Sequence, residues 1–227
     1  MARRNRDTFQ KRNPNSGTEY LPLTEENIEM IEKMVSEDPK YGLHGNEIEK
    51  FLTRFPCNKD RDIVIHKILL IDFTNSTNLR FSSSRVEDFS IFKLADQIIQ
   101  WDIDKKIERG EHDVVDEIAQ FGCANIFSFA TKYCCYHNYY AYNRDDYSIF
   151  DKIVVNTIPQ YLDVTQKTIC KYKEQGYKKY HNLITDLINI YSLNRIPCIR
   201  RKLDHFFWYP NRKNKENEEE MSLFENE

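Results

Sequence analysis

Apolar residues recur at intervals of three and four along most of this sequence, and alternating strand patterns with turn dipeptides are almost absent. That spacing places apolar side chains on one face of a helix, whereas a half-buried strand requires alternation. Glycine, the residue that tight turns between strands favour, is scarce at six of 227 residues. These features predict an all-α fold, a compact domain of about nine helices.

Composition divides the chain into three segments. Residues 1–20 are polar and basic, and residues 211–227 are charged and acidic, so we expect disordered tails on either side of one helical domain at 21–210. The net charge of −3 does not indicate a general nucleic-acid binder. The local Lys and Arg clusters at 167–179 and 195–202 are compatible either with binding to a phosphate backbone or with a solvated helix face.

The sequence lacks the signals of membrane or secreted proteins and those of metal-binding proteins. It has no apolar run long enough for a membrane span, and no apolar stretch follows its basic start, so we expect a cytoplasmic protein, associated with the nucleoid in a bacterium. Its six cysteines lack the spacing of a zinc or iron–sulfur site. On a helix, Cys134, Cys135 and His137 cannot all face one ion, so we predict no metal and reduced thiols.

Capping residues and prolines bound the predicted helices. Thr24 caps the first helix, which ends before Pro39, and Asp151 opens a later one. The apolar run 61–73 is expected to be central and buried. The other predicted helices cover residues 46–55, 85–101, 112–121, 125–137, 164–176, 177–193 and 199–209.

A stretch of tyrosines and polar residues separates Lys132, inside a predicted helix, from Asp151, 19 positions later. A lysine attacks carbon as the neutral amine, which burial among Phe127, Phe129 and Tyr133 would favour. An aspartate at a helix N-terminus accepts backbone N–H bonds and is held in place. Such a carboxylate can orient a lysine, exchange protons with it or stabilise a cationic transition state. From spacing alone, a surface lysine and a helix cap remain the alternative.

The stretch written FATKYCCYHN…YSIFDKIV resembles the helix-hairpin-helix DNA glycosylases of the 8-oxoguanine type, in their compact OGG-like microbial branch. The resemblance extends weakly to LLIDFTNSTNL and RKLDHFFWY. It implies an all-helical enzyme that flips a damaged base out of double-stranded DNA and acts as a monomer without a cofactor. Lys132 would attack the sugar C1′, displace the base and form a Schiff base, after which β-elimination nicks the strand. Asp151 would be its carboxylate partner.

Aromatic residues are candidates for the pocket that receives the flipped base. Tyr136 lies one helical turn beyond Lys132 on the same face and would border that pocket. Phe206 and Trp208 could stack on the base, although aromatics that close a small domain are more often part of its core.

Candidate DNA contacts lie upstream, in the segment TNSTNLRFSSSR. Extrusion of a base leaves a hole in the duplex, which glycosylases of this family fill with short polar or planar side chains. In this sequence, the candidates for that role are Asn75, Asn78 and Arg80. A plain surface loop is the alternative. Thr131, from the Thr-Lys pair, is also assigned to DNA contacts through the resemblance.

The sequence departs from the family at the hairpin, where Ser128 and Ala130 stand in place of glycines that approach a DNA phosphate. Two other functions stay open. One is a non-catalytic helical module that binds DNA or a protein. The other is a metal-dependent nuclease that uses Asp145 and Asp146, which is weaker because adjacent acids point in different directions and no third ligand is placed.

Overall fold

The structure is a computed structural model that describes residues 21–77, 79, 89–123 and 126–224, with the backbone alone for 123 and 213–224. All of the regular structure in these residues is helical, without a strand, which confirms the predicted all-α fold. None of the described helices combines the length and apolar composition that crossing a bilayer requires. The predicted basic tail 1–20, and the candidates Asn78 and Arg80, lie outside the described residues.

Eleven α-helices are present in the described residues, together with 3₁₀ turns at Phe121–Cys123 and Ile158–Gln160 and a π-helical turn at His137–Ala141. The α-helices are α1 (Glu25–Glu37), α2 (Tyr41–Arg54), α3 (Arg61–Asn75), α4 (Ile91–Gln100), α5 (Asp104–Glu108), α6 (Asp113–Ala119), α7 (Phe127–Tyr136), α8 (Lys152–Thr157), α9 (Gln166–Gln175), α10 (Tyr177–Ile190) and α11 (Ile199–Phe224).

Side-chain caps start five of these helices, because the first N–H groups of a helix have no partner within it. The capping residues are Thr24, Asp60, Ser90, Asp151 and Thr165. The predicted caps Thr24 and Asp151 are thereby confirmed. The helix predicted from residue 85 begins instead at Ile91, since Ser90 has an extended backbone and its hydroxyl accepts from Phe92 N at 3.2 Å.

The centre of the fold is α7, not α3. Nine of the ten residues of α7 are buried, and the helix packs against α2, α3 and α6. The prediction of a central, buried helix at 61–73 was wrong, because α3 leaves Leu69 exposed and Phe73 82 % exposed. The apolar run of α3 therefore covers the core with one face only.

The last helix runs further than the sequence predicts. α11 packs against α1 and α8 and continues past Pro210 to Phe224, through most of the segment expected to be a disordered acidic tail. Glu and Lys, which dominate 213–220, are good helix formers, so the charge-rich composition is compatible with a continued helix.

Candidate active site

The connection between α7 and α8 lacks regular structure, and half of it is buried. After the π-helical turn, residues 143–150 have no helical structure, yet Tyr147, Ser148, Ile149 and Phe150 are buried. Buried backbone groups that lack helical partners must find others. The tyrosines of this protein supply them.

Two phenols of α10 hold this connection in place. The hydroxyl of Tyr177 accepts from Ser148 N at 2.6 Å and donates to Ser148 O at 3.0 Å. The hydroxyl of Tyr180 donates to Ile149 O at 2.5 Å. Burial raises the pKa of both phenols well above the usual value, so they keep the protons that they donate. The connection is thereby fixed immediately before Asp151.

Thr131 ties the same connection to α7. Its hydroxyl accepts from Phe150 N at 3.1 Å and donates to Ser128 O at 2.9 Å. The first of these bonds joins the residue before Lys132 to the residue before Asp151. Thr131 is completely buried, so the structure favours a positioning role for it over the predicted contact with DNA.

Lys132 and Asp151 meet in a buried ion pair. The distance from Lys132 Nζ to Asp151 Oδ2 is 3.5 Å, and the side chains are 8 % and 14 % exposed. The other carboxylate oxygen, Oδ1, accepts from Val154 N at 2.9 Å and caps α8. The separation exceeds a normal hydrogen bond, so the ammonium group is close to the carboxylate without being locked onto it. The structure therefore brings together the two residues that were expected to act as partners.

A second buried ion pair lies on α11, which packs against α8. Arg201 Nη1 is 2.8 Å from Asp204 Oδ2, and the side chains are 7 % and 11 % exposed. Burial raises the pKa of Asp204; Arg201 opposes this shift, and the charge of Asp151 adds to it. Asp204 is therefore electrostatically coupled to the Lys132–Asp151 pair. Sequence reasoning missed this carboxylate and counted Arg201 in a surface cluster, although an Arg and an Asp three apart in an apolar helix is a signal of internal pairing.

Tyr136 and Asn75, both predicted site residues, contact each other. The Tyr136 hydroxyl donates to Asn75 Oδ1 at 2.6 Å, and the Asn75 amide donates to Thr74 Oγ1 at 2.9 Å. The Arg201 guanidinium carbon lies 4.9 Å from the centre of the Tyr136 ring. A continuous polar and aromatic wall thus runs from the end of α3, across α7, to Asp204 on α11.

The two aromatic candidates of α11 pack elsewhere. Phe206 is buried against Tyr161, with ring centres 6.0 Å apart, and Trp208 packs edge-on against Tyr41 at 4.6 Å. Both contacts correspond to the core role that the sequence left open for them.

The residues of the nuclease alternative serve as internal links. Asp145 accepts from the backbone N–H groups of Arg200 and Arg201 at 2.7 and 3.1 Å, and burial raises its pKa to about 6. Asp146 accepts from Arg144 Nε at 2.5 Å and from Asn138 Nδ2 at 2.9 Å. Within the described part of the chain, no group of three or more His, Cys, Asp or Glu residues has an arrangement that could hold a metal ion.

The sequence also gave no sign of a second buried lysine. Lys67 on α3 is fully buried and donates to Cys57 O at 2.9 Å and to Asn58 Oδ1 at 3.0 Å. Its third donor lies 3.0 Å from His137 Nε2, an acceptor because Nδ1 faces the carbonyl of Tyr133. Burial lowers the pKa of Lys67 to about 8, against an opposing effect of Asp104.

A model of the HI_0787_N family, described as an N-terminal domain, matches residues 25–145, more than half of the chain. The chain belongs to the HI_0787_N family. The matched part runs from α1 through the π-helical turn and contains Lys132, but it ends six residues before Asp151. No curated protein and no solved structure matches the sequence. The family description names no reaction, so the function is argued from the site.

Proposed function

We propose that this HI_0787_N-family protein is a DNA glycosylase and AP lyase that removes an oxidised purine such as 8-oxoguanine through a lysine Schiff base. The observation that carries the proposal is the buried Lys132–Asp151 pair, 3.5 Å apart at the N-terminus of α8. Three bonded side chains, Thr131, Tyr177 and Tyr180, hold the connection that creates it. A helix cap alone does not require a buried lysine beside it.

The chemistry needs an amine and a proton acceptor within reach of one sugar carbon. Asp151 takes a proton from Lys132, and the neutral Nζ attacks C1′ while the glycosidic bond breaks. The electron pair of that bond leaves with the base, which takes the proton that Asp151 received. The adduct passes a proton from Nζ to O4′ as the C1′–O4′ bond breaks and the Schiff base forms, and Asp151 then takes a C2′ proton as the 3′ phosphate leaves. Asp151, already held by Val154 N, moves little during these steps.

The resemblance of residues 127–154 to 8-oxoguanine glycosylases supports the choice of substrate class, and the all-helical fold is compatible with it. The wall of Asn75, Tyr136 and Arg201 supplies planar and hydrogen-bonding groups of the kind that read a purine. In this proposal the protein acts inside the cell, as a monomer on double-stranded DNA that contains a damaged base, and it needs no cofactor.

The second candidate is a non-catalytic helical module that binds DNA or a protein. It is favoured by a group of exposed lysines on α9 and α10 that have no acidic partners among the described residues. Under this alternative, replacing Lys132 changes affinity modestly and no covalent intermediate forms. The glycosylase proposal expects the reverse, with binding kept and turnover lost.

Borohydride trapping tests the proposal directly. The purified protein is incubated with a duplex that carries one 8-oxoguanine, and the Schiff base is reduced to a stable adduct. We expect an adduct with the wild-type protein and none with Lys132→Gln. Lys152→Gln is the matched control, because Lys152 is exposed and adjacent to Asp151, and it should still be trapped. Absence of an adduct with 8-oxoguanine, other oxidised purines and an abasic site would overturn the lyase mechanism.

A further inference from the structure

Five exposed lysines lie within 13 residues on α9 and the first turn of α10, two helices joined at Gly176. A single acidic residue, Glu174, interrupts them. We call this group the α9–α10 lysine surface: Lys167, Lys171, Lys173, Lys178 and Lys179.

The lysines of this surface lack acidic partners among the described residues. In the described part of the chain, none of the five forms an ion pair, whereas Lys33 pairs with Glu37 and Lys50 with Glu47. Lys167 and Lys171 stand four apart on one helix face, where like charges repel each other. Lys178 and Lys179 lie at the N-terminus of α10, where the Asp116 carboxylate accepts from Tyr177 N at 2.9 and 3.1 Å. The repulsion between Lys167 and Lys171 does not stabilise α9, so an external anion explains that pair more readily.

The lysine surface adjoins the candidate active site. Lys173 Nζ lies 5.2 Å from the centre of the Phe150 ring, and Phe150 directly precedes Asp151. In addition, α9 packs against α8, the helix that Asp151 caps. An anionic polymer that extends from Asp151 towards α9 therefore passes the lysines of this surface.

We propose that the α9–α10 lysine surface binds the phosphate backbone of duplex DNA beside the nucleotide that enters the Lys132–Asp151 site. Lysines hold phosphates as point charges and release counterions, which gives affinity that is independent of base sequence and sensitive to salt. This inference deepens the proposed function by assigning it a DNA-binding face, and it rests on that function for the position of the damaged base.

The test compares double variants of equal charge change. Lys167→Ala/Lys171→Ala and Lys178→Ala/Lys179→Ala remove lysines from the surface, and Lys33→Ala/Lys50→Ala is the matched control on α1 and α2. All six residues are exposed, and alanine favours helix, so we expect the variants to fold. Binding to a 20-base-pair duplex, with and without 8-oxoguanine, is measured by fluorescence anisotropy over a range of salt concentrations.

We expect each surface variant to bind about tenfold more weakly at low salt, with the slope of log K against log salt reduced by about two, one for each lysine. The control should match the wild type in both affinity and trapping. Equal affinities, or an equal loss in the control, would overturn the inference. Anisotropy measures binding without turnover, so the two proposals can fail separately. If no adduct forms but the surface variants bind DNA more weakly, the lyase mechanism is refuted and the DNA-binding surface is still supported.

Discussion

The protein buries two lysines in different ways. Lys67 is fully buried among neutral acceptors, and its three donors face a backbone carbonyl, an amide oxygen and a ring nitrogen. Lys132 is slightly exposed, and among the described residues it pairs with Asp151 alone, at 3.5 Å. The first lysine has used all of its hydrogen-bonding capacity, while the second retains most of it.

This difference separates a structural lysine from a candidate nucleophile. Burial lowers the pKa of Lys67 to about 8, yet all three of its donors already face acceptors of the protein. A perturbed pKa alone would therefore have indicated the wrong residue. What distinguishes Lys132 is a carboxylate beside it, residual exposure and a connection that several tyrosines hold in place.

The largest expected effect concerns catalysis. Lys132→Gln should abolish Schiff-base trapping, a loss of at least about 10³-fold, because the nucleophile itself is removed. Lys67→Met, assayed at a temperature at which it is folded, should still be trapped. Trapping that depended on Lys67 and not on Lys132 would reverse the comparison.

For the free energy of unfolding, replacing Lys67 should have a larger effect than replacing Lys132. Lys67→Met leaves His137 Nε2 and the carbonyl of Cys57 without this donor, while Asn58 Oδ1 keeps its bond from the Tyr133 hydroxyl. We therefore expect the free energy of unfolding to fall by about 1–3 kcal/mol. Lys132→Gln should cost less than about 1 kcal/mol, because Asp151 keeps its bond to Val154 N. Urea denaturation of both variants measures the difference, and equal losses would show that the two lysines are not distinct.

The pH dependence of stability sharpens the same contrast. The folded-state pKa of Lys67 is about 8, below the usual value of 10.5, so between these values the unfolded chain binds more protons. The contribution of Lys67 to the free energy of unfolding should therefore rise with pH from about 8 to 10.5, by on the order of 3 kcal/mol, and stay at its lowest below pH 8. Subtracting the free energy of unfolding of Lys67→Met from that of the wild type at each pH isolates this contribution. A difference that does not change with pH would contradict the prediction.

Asp151→Asn tests the partner of Lys132 while keeping the cap. Asparagine caps helices as well as aspartate does, so the melting temperature should be nearly unchanged. Loss of the charge and of the proton acceptor should slow adduct formation about 10- to 100-fold. A normal rate in single-turnover trapping would reduce Asp151 to a structural cap.

The smallest effect is expected at the wall of the site. Tyr136→Phe removes the hydroxyl that donates to Asn75 Oδ1 and should lower the free energy of unfolding by about 1 kcal/mol. Asn75→Ala should lower it by a similar amount, and the double variant by less than the sum, because the two residues share one bond. Additive losses would show that the contact contributes nothing.

Local signals in the sequence predicted much of the helical framework, since caps and apolar spacing act over a few residues. Thr24 and Asp151 cap helices as expected. Two boundaries were predicted wrongly: α4 begins at Ile91, after the cap Ser90, instead of at Arg85, and α11 continues past Pro210. The position of each helix in the core could not be predicted either, because apolar residues on α3 and α7 look alike until their neighbours are known.

The sequence by itself determined that the chain is helical and that Asp151 opens a helix after a lysine-bearing one, because both follow from local spacing and capping. Only the tertiary structure decided that Lys132 is buried 3.5 Å from that carboxylate, since the phenols of α10, far along the chain, hold the intervening connection. It also separated Lys132 from Lys67 and coupled Asp204 to the pair. Burial and pairing across helices depend on packing, which residue spacing does not encode.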